Sequence, residues 1–160
     1  MIIVLIGVTG SGKSTVGRLL AGELGWKFCE GDDFHPAANL AKMTRGVPLD
    51  DEDRKPWLQA IQKVIRIAVG NRENVVIACS ALKESYRSML QVEGEVIFVY
   101  LKASLALIQQ RLKKRIGHFM NPVLIQSQFD TLEEPKQALQ VDAALTPAEI
   151  VQIIRHHLAI

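Results

Sequence analysis

The segment Gly7-Val8-Thr9-Gly10-Ser11-Gly12-Lys13-Ser14 satisfies the pattern G-x-x-x-x-G-K-[ST] in full. Each residue type has a physical task. Glycines let a loop wrap closely, so that backbone N–H groups converge on phosphate oxygens. A helix starting at Lys13 adds its positive N-terminal end. The Lys13 ammonium is placed to reach the β- and γ-phosphates of a nucleoside triphosphate, and the Ser14 hydroxyl to ligate Mg²⁺. The expected nucleotide contacts are therefore Gly7, Thr9, Gly10, Ser11, Gly12, Lys13, Ser14 and Thr15, with Ser14 as metal ligand and ATP and Mg²⁺ as cofactors. Such a loop establishes nucleotide binding; the chemistry at an acceptor has to come from elsewhere.

Three further clusters carry chemistry. Glu30-Gly31-Asp32-Asp33-Phe34-His35-Pro36 supplies carboxylates that can orient a hydroxyl, accept its proton, or help position Mg²⁺ through water. Lys83 and Arg87 are spaced i, i+4 and so share one helical face, where they can bind an acceptor or a transferring phosphate. Arg111 and Arg115 have the same spacing, beside Lys113 and Lys114. Arg54 sits at the end of an acidic run, Asp50-Asp51-Glu52-Asp53, so a surface ion pair is its plain alternative.

Alternating apolar runs and helical stripes must position these groups. Strands are expected at Ile2 to Ile6, Lys27 to Glu30, Asn74 to Cys79, Val96 to Leu101 and, weakly, Ala138 to Val141. Helices are expected at Lys13 to Leu24 (apolar face Val16, Leu19, Leu20, Leu24), at His35 to Met43, from the Asp50–Asp53 cap onward, at Lys83 to Leu90, and from Leu105 to near Gly117. A last helix is capped by Thr146-Pro147. Pro56 is compatible with the long helix only in its first turn. Strands separated by helices imply right-handed crossovers and a three-layer α/β fold: a parallel five-stranded sheet covered by helices on both faces. Ligands in such sheets bind beyond the carboxyl ends of the strands, and the polar clusters above lie at that edge.

Composition excludes several classes. The chain has 160 residues, the length of one domain, with 48% hydrophobic and 22% charged residues, which argues against disorder. A net charge of +2 is too small to imply nucleic acid or a membrane surface as partner. No apolar run reaches the ~18 residues of a membrane span, and the first residues lack the basic start and cleavage site of a signal peptide. A cytoplasmic protein is expected. Cys29 and Cys79 are expected as reduced buried thiols rather than a disulfide. No Asn-Lys-x-Asp guanine-reading segment occurs, and the third strand ends in Cys79-Ser80-Ala81 without the acidic pair of a motor-type ATPase. A small kinase remains.

The sequence resembles the gluconate kinase family, relatives in fold of shikimate and adenylate kinases. Beyond Gly7 to Ser14, the resemblance rests on Gly31-Asp32 with His35-Pro36 and Asn39, then Lys42-Met43; on Pro48-Leu49, Asp51 and Asp53-Arg54-Lys55-Pro56-Trp57-Leu58; on Cys79-Ser80-Ala81-Leu82-Lys83 with Tyr86-Arg87; and on Gly117-His118-Phe119, Gln128-Phe129, Thr131-Leu132-Glu133 and Pro135. These blocks run in the family's order and spacing from Gly7 to Pro135.

The resemblance implies a phosphate-loop kinase fold with a small lid at about 117–130. It implies phosphorylation of D-gluconate at its 6-hydroxyl by Mg·ATP. Asp32 would be the base or orienter of that hydroxyl, and Lys13 and Arg115 would offset charge on the moving phosphoryl. Arg111 would lie against the adenine. Asp32, His35, Arg54, Lys83 and Arg87 would contact gluconate, with the planar fork of Arg54 on the carboxylate. Trp57 and Tyr86 are expected as packing residues. The family's frequent dimers are the only pointer to a homodimer. A kinase for another sugar acid or shikimate, a nucleoside-monophosphate kinase, and a nucleotide-binding regulator without turnover are the competing readings.

Overall fold

The computed structural model describes residues 1–92, 96–115 and 121–160. Among them lie five strands: β1 Ile2–Ile6, β2 Lys27–Glu30, β3 Val75–Ala78, β4 Val96–Lys102 and β5 Leu139–Asp142. All pair in parallel, in the order β2-β3-β1-β4-β5. The central strand β1 is fully buried, as its unbroken apolar run requires of a strand covered on both faces. Its side chains alternate between two cores. Ile2, Val4 and Ile6 pack with residues of the long helix α3 (Asp51–Gly70) and of α4 (Glu84–Leu90). Ile3 and Leu5 pack with residues of α1 (Lys13–Leu24) and α7 (Pro147–Leu158).

The chain leaves β1 toward β2 on one side and leaves β3 toward β4 on the other. The gap between the carboxyl ends of β1 and β3 is thus a topological switch point, where such sheets open a crevice. There the Gly7 N–H, just beyond β1, donates to the Ser80 carbonyl beyond β3 at 3.2 Å.

Two more helices border the crevice: α2 (Ala37–Thr44) and α6 (Pro122–Thr131). The second was not anticipated as a helix. Asn121 caps it, its side chain accepting from the Val123 N–H, and Pro122 stands in its first turn, where no donor is missed. It occupies most of the expected lid; Gly117, His118 and Phe119 lie outside the described residues. Other differences are local. The helix α5 (Leu105–Lys113) stops short of Arg115. Leu19 is 36% exposed, because the buried face of α1 runs through Val16, Gly17, Leu20 and Ala21. Pro56 lies inside α3, beyond its first turn. The carbonyl it leaves without a helical donor belongs to the exposed Glu52, which water can satisfy. Asp50 and Asp53 cap the start of α3 reciprocally.

Candidate active site

The phosphate loop joins β1 to α1 and has the shape of an anion cradle. Gly7 has φ 145°, and a Cβ there would lie 2.8 Å from the Leu101 carbonyl oxygen, so only glycine fits. Gly12 caps α1 with no side-chain hydrogen bond, which leaves the first amides of the helix free for a ligand. Ser11 is buried, and its hydroxyl has no partner among the described residues. Lys13 reaches back to donate to the Val8 carbonyl at 2.8 Å. Burial lowers its pKa, against the opposing pull of Asp32, then Cys79 and Glu30. Unfilled amides, an orphaned hydroxyl and a half-buried ammonium fit a polyphosphate.

The metal expectation at Ser14 gains a partner. The Ser14 hydroxyl donates to Glu30 Oε2 at 2.5 Å. Two hard oxygen donors beside a phosphate cradle suit Mg²⁺, which is bound through one or two protein oxygens together with substrate phosphates. Glu30 was expected among the carboxylates of the Glu30 to Pro36 segment that could help position Mg²⁺ through water, with no role assigned to it alone. Its signal was its place, the last residue of β2 and two before Asp32.

A cleft of about 220 Å³ opens beside the loop, lined by Thr9, Lys13, Asp32, His35, Arg54 and Trp57, with Leu124 and Gln128 of α6 on the far wall. Asp32 rides on a tight 3-10 turn, Gly31–Phe34. Two contacts fix that turn. Trp57 Nε1 donates to the Gly31 carbonyl at 2.8 Å, and a Cβ at Gly31 would meet the Ala78 oxygen at 2.4 Å. Trp57 is therefore a core residue, as expected, that also sets the acidic turn. Gln128 ties α6 to the loop by accepting from the Thr9 N–H at 2.7 Å.

His35 stacks on Trp57, with ring centroids 4.3 Å apart and planes inclined by 15°. Burial, followed by the positive charge of Arg54, pushes its pKa down to about 4, so it is neutral at pH 7. Arg54 is only 8% exposed. It makes no ion pair with a carboxylate among the described residues, which removes the acidic-run alternative. Its Nη1 donates to the Tyr86 hydroxyl at 3.2 Å, and Tyr86 donates onward to Asp51. A buried guanidinium facing a cleft with donors to spare calls for an anion.

The other expected residues stand elsewhere. Lys83 pairs with Asp51 at 2.9 Å, at the rim of the Arg54–Tyr86 network, and does not line the cleft. Arg87 corrects the expectation of a substrate contact. It is buried, and its five N–H donors are spent on the carbonyls of Ala81, Leu82 and Glu133 and on the Glu84 carboxylate. It is a strut between the β3–α4 turn and the segment after α6. Arg111 donates to the Gly10 carbonyl at 3.2 Å and to that of Ala143, so it clamps the phosphate loop to the turn after β5. Arg115 is exposed beyond α5, and Thr15 is exposed on α1.

The sequence model of the shikimate kinase family matches residues 9–148. A probable gluconokinase of Xenopus tropicalis is 44% identical over 151 residues, covering 84% of this chain and 80% of that protein. The thermoresistant gluconokinase of Escherichia coli K12 is 46% identical over 136 residues, covering 84% of this chain and 77% of its own. A crystal structure of a gluconokinase from Sinorhizobium meliloti 1021 superposes with a TM-score of 0.88 at 46% identity, over 98% of this chain and 90% of that one. The chain belongs to the gluconokinase family. Shikimate kinase from Aquifex aeolicus, at 20% identity and a TM-score of 0.65, shares the fold. As a gluconokinase-family member the chain is a kinase, and the switch-point cleft is where its phosphate loop, acidic turn and buried arginine meet.

Proposed function

We propose that this kinase transfers the γ-phosphoryl of ATP to the 6-hydroxyl of D-gluconate, giving 6-phosphogluconate and ADP. The observation that carries the reading is the joint lining of one cleft by Lys13, Asp32 and an Arg54 guanidinium that has no carboxylate partner among the described residues. A polyol acid needs a cation for its carboxylate, polar side chains along its length, and a carboxylate at the reacting hydroxyl. The names of the relatives point to the same substrate.

ATP lies with its phosphates on residues 7–15, held by the loop amides, the start of α1 and Lys13. Ser14, with Glu30 through water, would hold Mg²⁺, which when bound neutralises charge on the phosphate oxygens. Arg54 grips the carboxylate of gluconate, and His35 donates to a hydroxyl along the chain. Asp32 orients the 6-hydroxyl. The hydroxyl oxygen attacks the γ-phosphorus in line as the bond to the β–γ bridging oxygen breaks, and Asp32 takes the proton late in that step. Lys13 and Arg115 offset charge on the transferring group. Arg111 keeps the loop in shape, a role its two carbonyl contacts support better than an adenine contact. Lys83 acts through Asp51 and Tyr86 on Arg54. The lid is α6, which meets the cleft through Leu124 and Gln128 and excludes water as a competing acceptor.

No helix among the described residues is long and apolar enough to cross a membrane. A cytoplasmic location, where Mg·ATP is supplied, and a homodimer complete the proposal.

An ADP-release assay with gluconate, other aldonic acids, shikimate and AMP tests the reading. Turnover is expected with gluconate above all the others. Preference for shikimate or AMP would overturn the substrate, and no ADP release with any acid would return the chain to a nucleotide-binding regulator.

A further inference from the structure

Asn39, on α2, is 3% exposed, and its side chain joins two elements of the cleft wall. Its Nδ2 donates to the Asp53 carbonyl oxygen at 2.8 Å and lies 3.3 Å from His35 Nδ1. The first bond fixes which way the amide points, because a peptide carbonyl can only accept. The nitrogen so placed has two hydrogens and no acceptor lone pair. One hydrogen goes to Asp53, and the other faces His35. Nδ1 must therefore accept, which leaves the ring proton on Nε2. A doubly protonated ring would set an N–H against the amide hydrogens, and Arg54 repels it from the cleft side. Stacking on Trp57 holds the ring plane. The Asp53 carboxylate is itself bound by Lys42 at 2.7 Å, so the carbonyl that anchors Asn39 belongs to a residue pinned between α2 and α3.

We propose that Asn39 is a positioning residue that locks His35 in its Nε2–H tautomer, making His35 a donor that reads an acceptor oxygen of the polyol acid and barring it from acting as base. The substrate part rests on the function proposed above. Proton removal is then left to Asp32, the carboxylate that lines the cleft. The lock also selects among substrates, because a fixed donor rewards an oxygen at that place and is left unpaired by an analogue that lacks one.

Nitrogen-15 spectra of the histidine-labelled protein, without substrate, read the tautomer directly, with His35→Gln used to assign the signal. The Nε2–H form is expected in the unaltered protein, and the Nδ1–H form there would overturn the proposal. Asn39→Asp replaces the donor with an acceptor, so it should move the proton to Nδ1 or hold both; an unchanged Nε2–H signal in a folded Asn39→Asp protein would equally overturn it. In kinetics, Asn39→Ala should raise the gluconate KM by about tenfold, the worth of one hydrogen bond, with the ATP KM unchanged. Glutamine has amide donors and no tautomer to set. In the His35→Gln background, Asn39→Ala should therefore add less than about twofold, whereas a purely structural Asn39 would cost the same in both backgrounds. Failure of the unaltered protein to turn over gluconate would strike the proposed substrate instead, and the nitrogen spectra would still decide the tautomer.

Discussion

Replacing Arg54 by methionine should weaken substrate binding and leave the fold intact or firmer. The side chain is 8% exposed, donates to Tyr86 at 3.2 Å, and has its guanidinium carbon 5.6 Å from the centre of the Tyr86 ring. Methionine fills much of the same volume without the charge. Hydrogen bonds to charged groups contribute about 1.5–3 kcal/mol each. A carboxylate held by two such bonds in a half-enclosed cleft therefore loses on the order of 3 kcal/mol, which is roughly a hundredfold rise in the gluconate KM. In the unliganded protein the balance runs the other way. A buried charge such as Arg54, with no ionic partner among the described residues, carries a desolvation penalty of several kcal/mol, only partly offset by Tyr86 and the more distant Asp51. Stability should thus be unchanged or up by about 1 kcal/mol, a Tm rise of roughly 2–4 °C for a domain of this size. Steady-state kinetics with each substrate varied, beside thermal unfolding of the apoprotein, gives both numbers. A Tm lower by more than about 5 °C with an unchanged gluconate KM would show that Arg54 is a strut, and the assignment of the acid end of the pocket would fall.

Asp32→Asn should lower kcat by about 10²- to 10⁴-fold with the ATP KM nearly constant; a rise in gluconate KM alone would make Asp32 a binding residue. Arg87→Met takes the side-chain donors from the Ala81 and Glu133 carbonyls, while that of Leu82 keeps the Glu133 N–H, so it should cost on the order of 3 kcal/mol in denaturant unfolding and move neither KM by more than about twofold; a large KM effect would restore Arg87 to the substrate site. His35 is neutral in the fold down to about pH 4, from an ordinary value of 6.5. The unfolded chain therefore binds more protons between those values, and stability should fall as pH drops through that window. Thermal unfolding from pH 7 to 4 should show a loss that shrinks in His35→Gln; identical profiles would mean that the ring titrates normally.

Elements with one-sided signals were legible in the sequence. The β1 run, the glycine-lysine loop and the Thr146-Pro147 cap are local patterns, and β1, α1, β2 and α7 lie where those patterns put them. Helix α6 escaped because its apolar residues face a cleft as well as a core, so no clean stripe marks it. Position of chemistry was less legible than identity. An i, i+4 spacing places Lys83 and Arg87 near each other on a helix face, yet it cannot say that Arg87 turns inward to three carbonyls while Lys83 turns to Asp51. Those partners are 46 residues away for Glu133 and 32 for Asp51, and only the tertiary fold sets them. Arg54 shows the converse: its acidic neighbours cap α3 and pair with Lys42, Lys83 and Tyr86, so the arginine that seemed to belong to them is free to face the cleft.

The central claim is that one cleft brings an ATP γ-phosphoryl to the terminal hydroxyl of a six-carbon aldonic acid. Phosphorus and carbon NMR of the products after incubation with Mg·ATP and D-gluconate tests it most directly. The expected result is one new phosphate ester whose phosphorus couples to C6, formed in step with ADP. ADP formed with inorganic phosphate alone, or an ester at another carbon, would contradict the account.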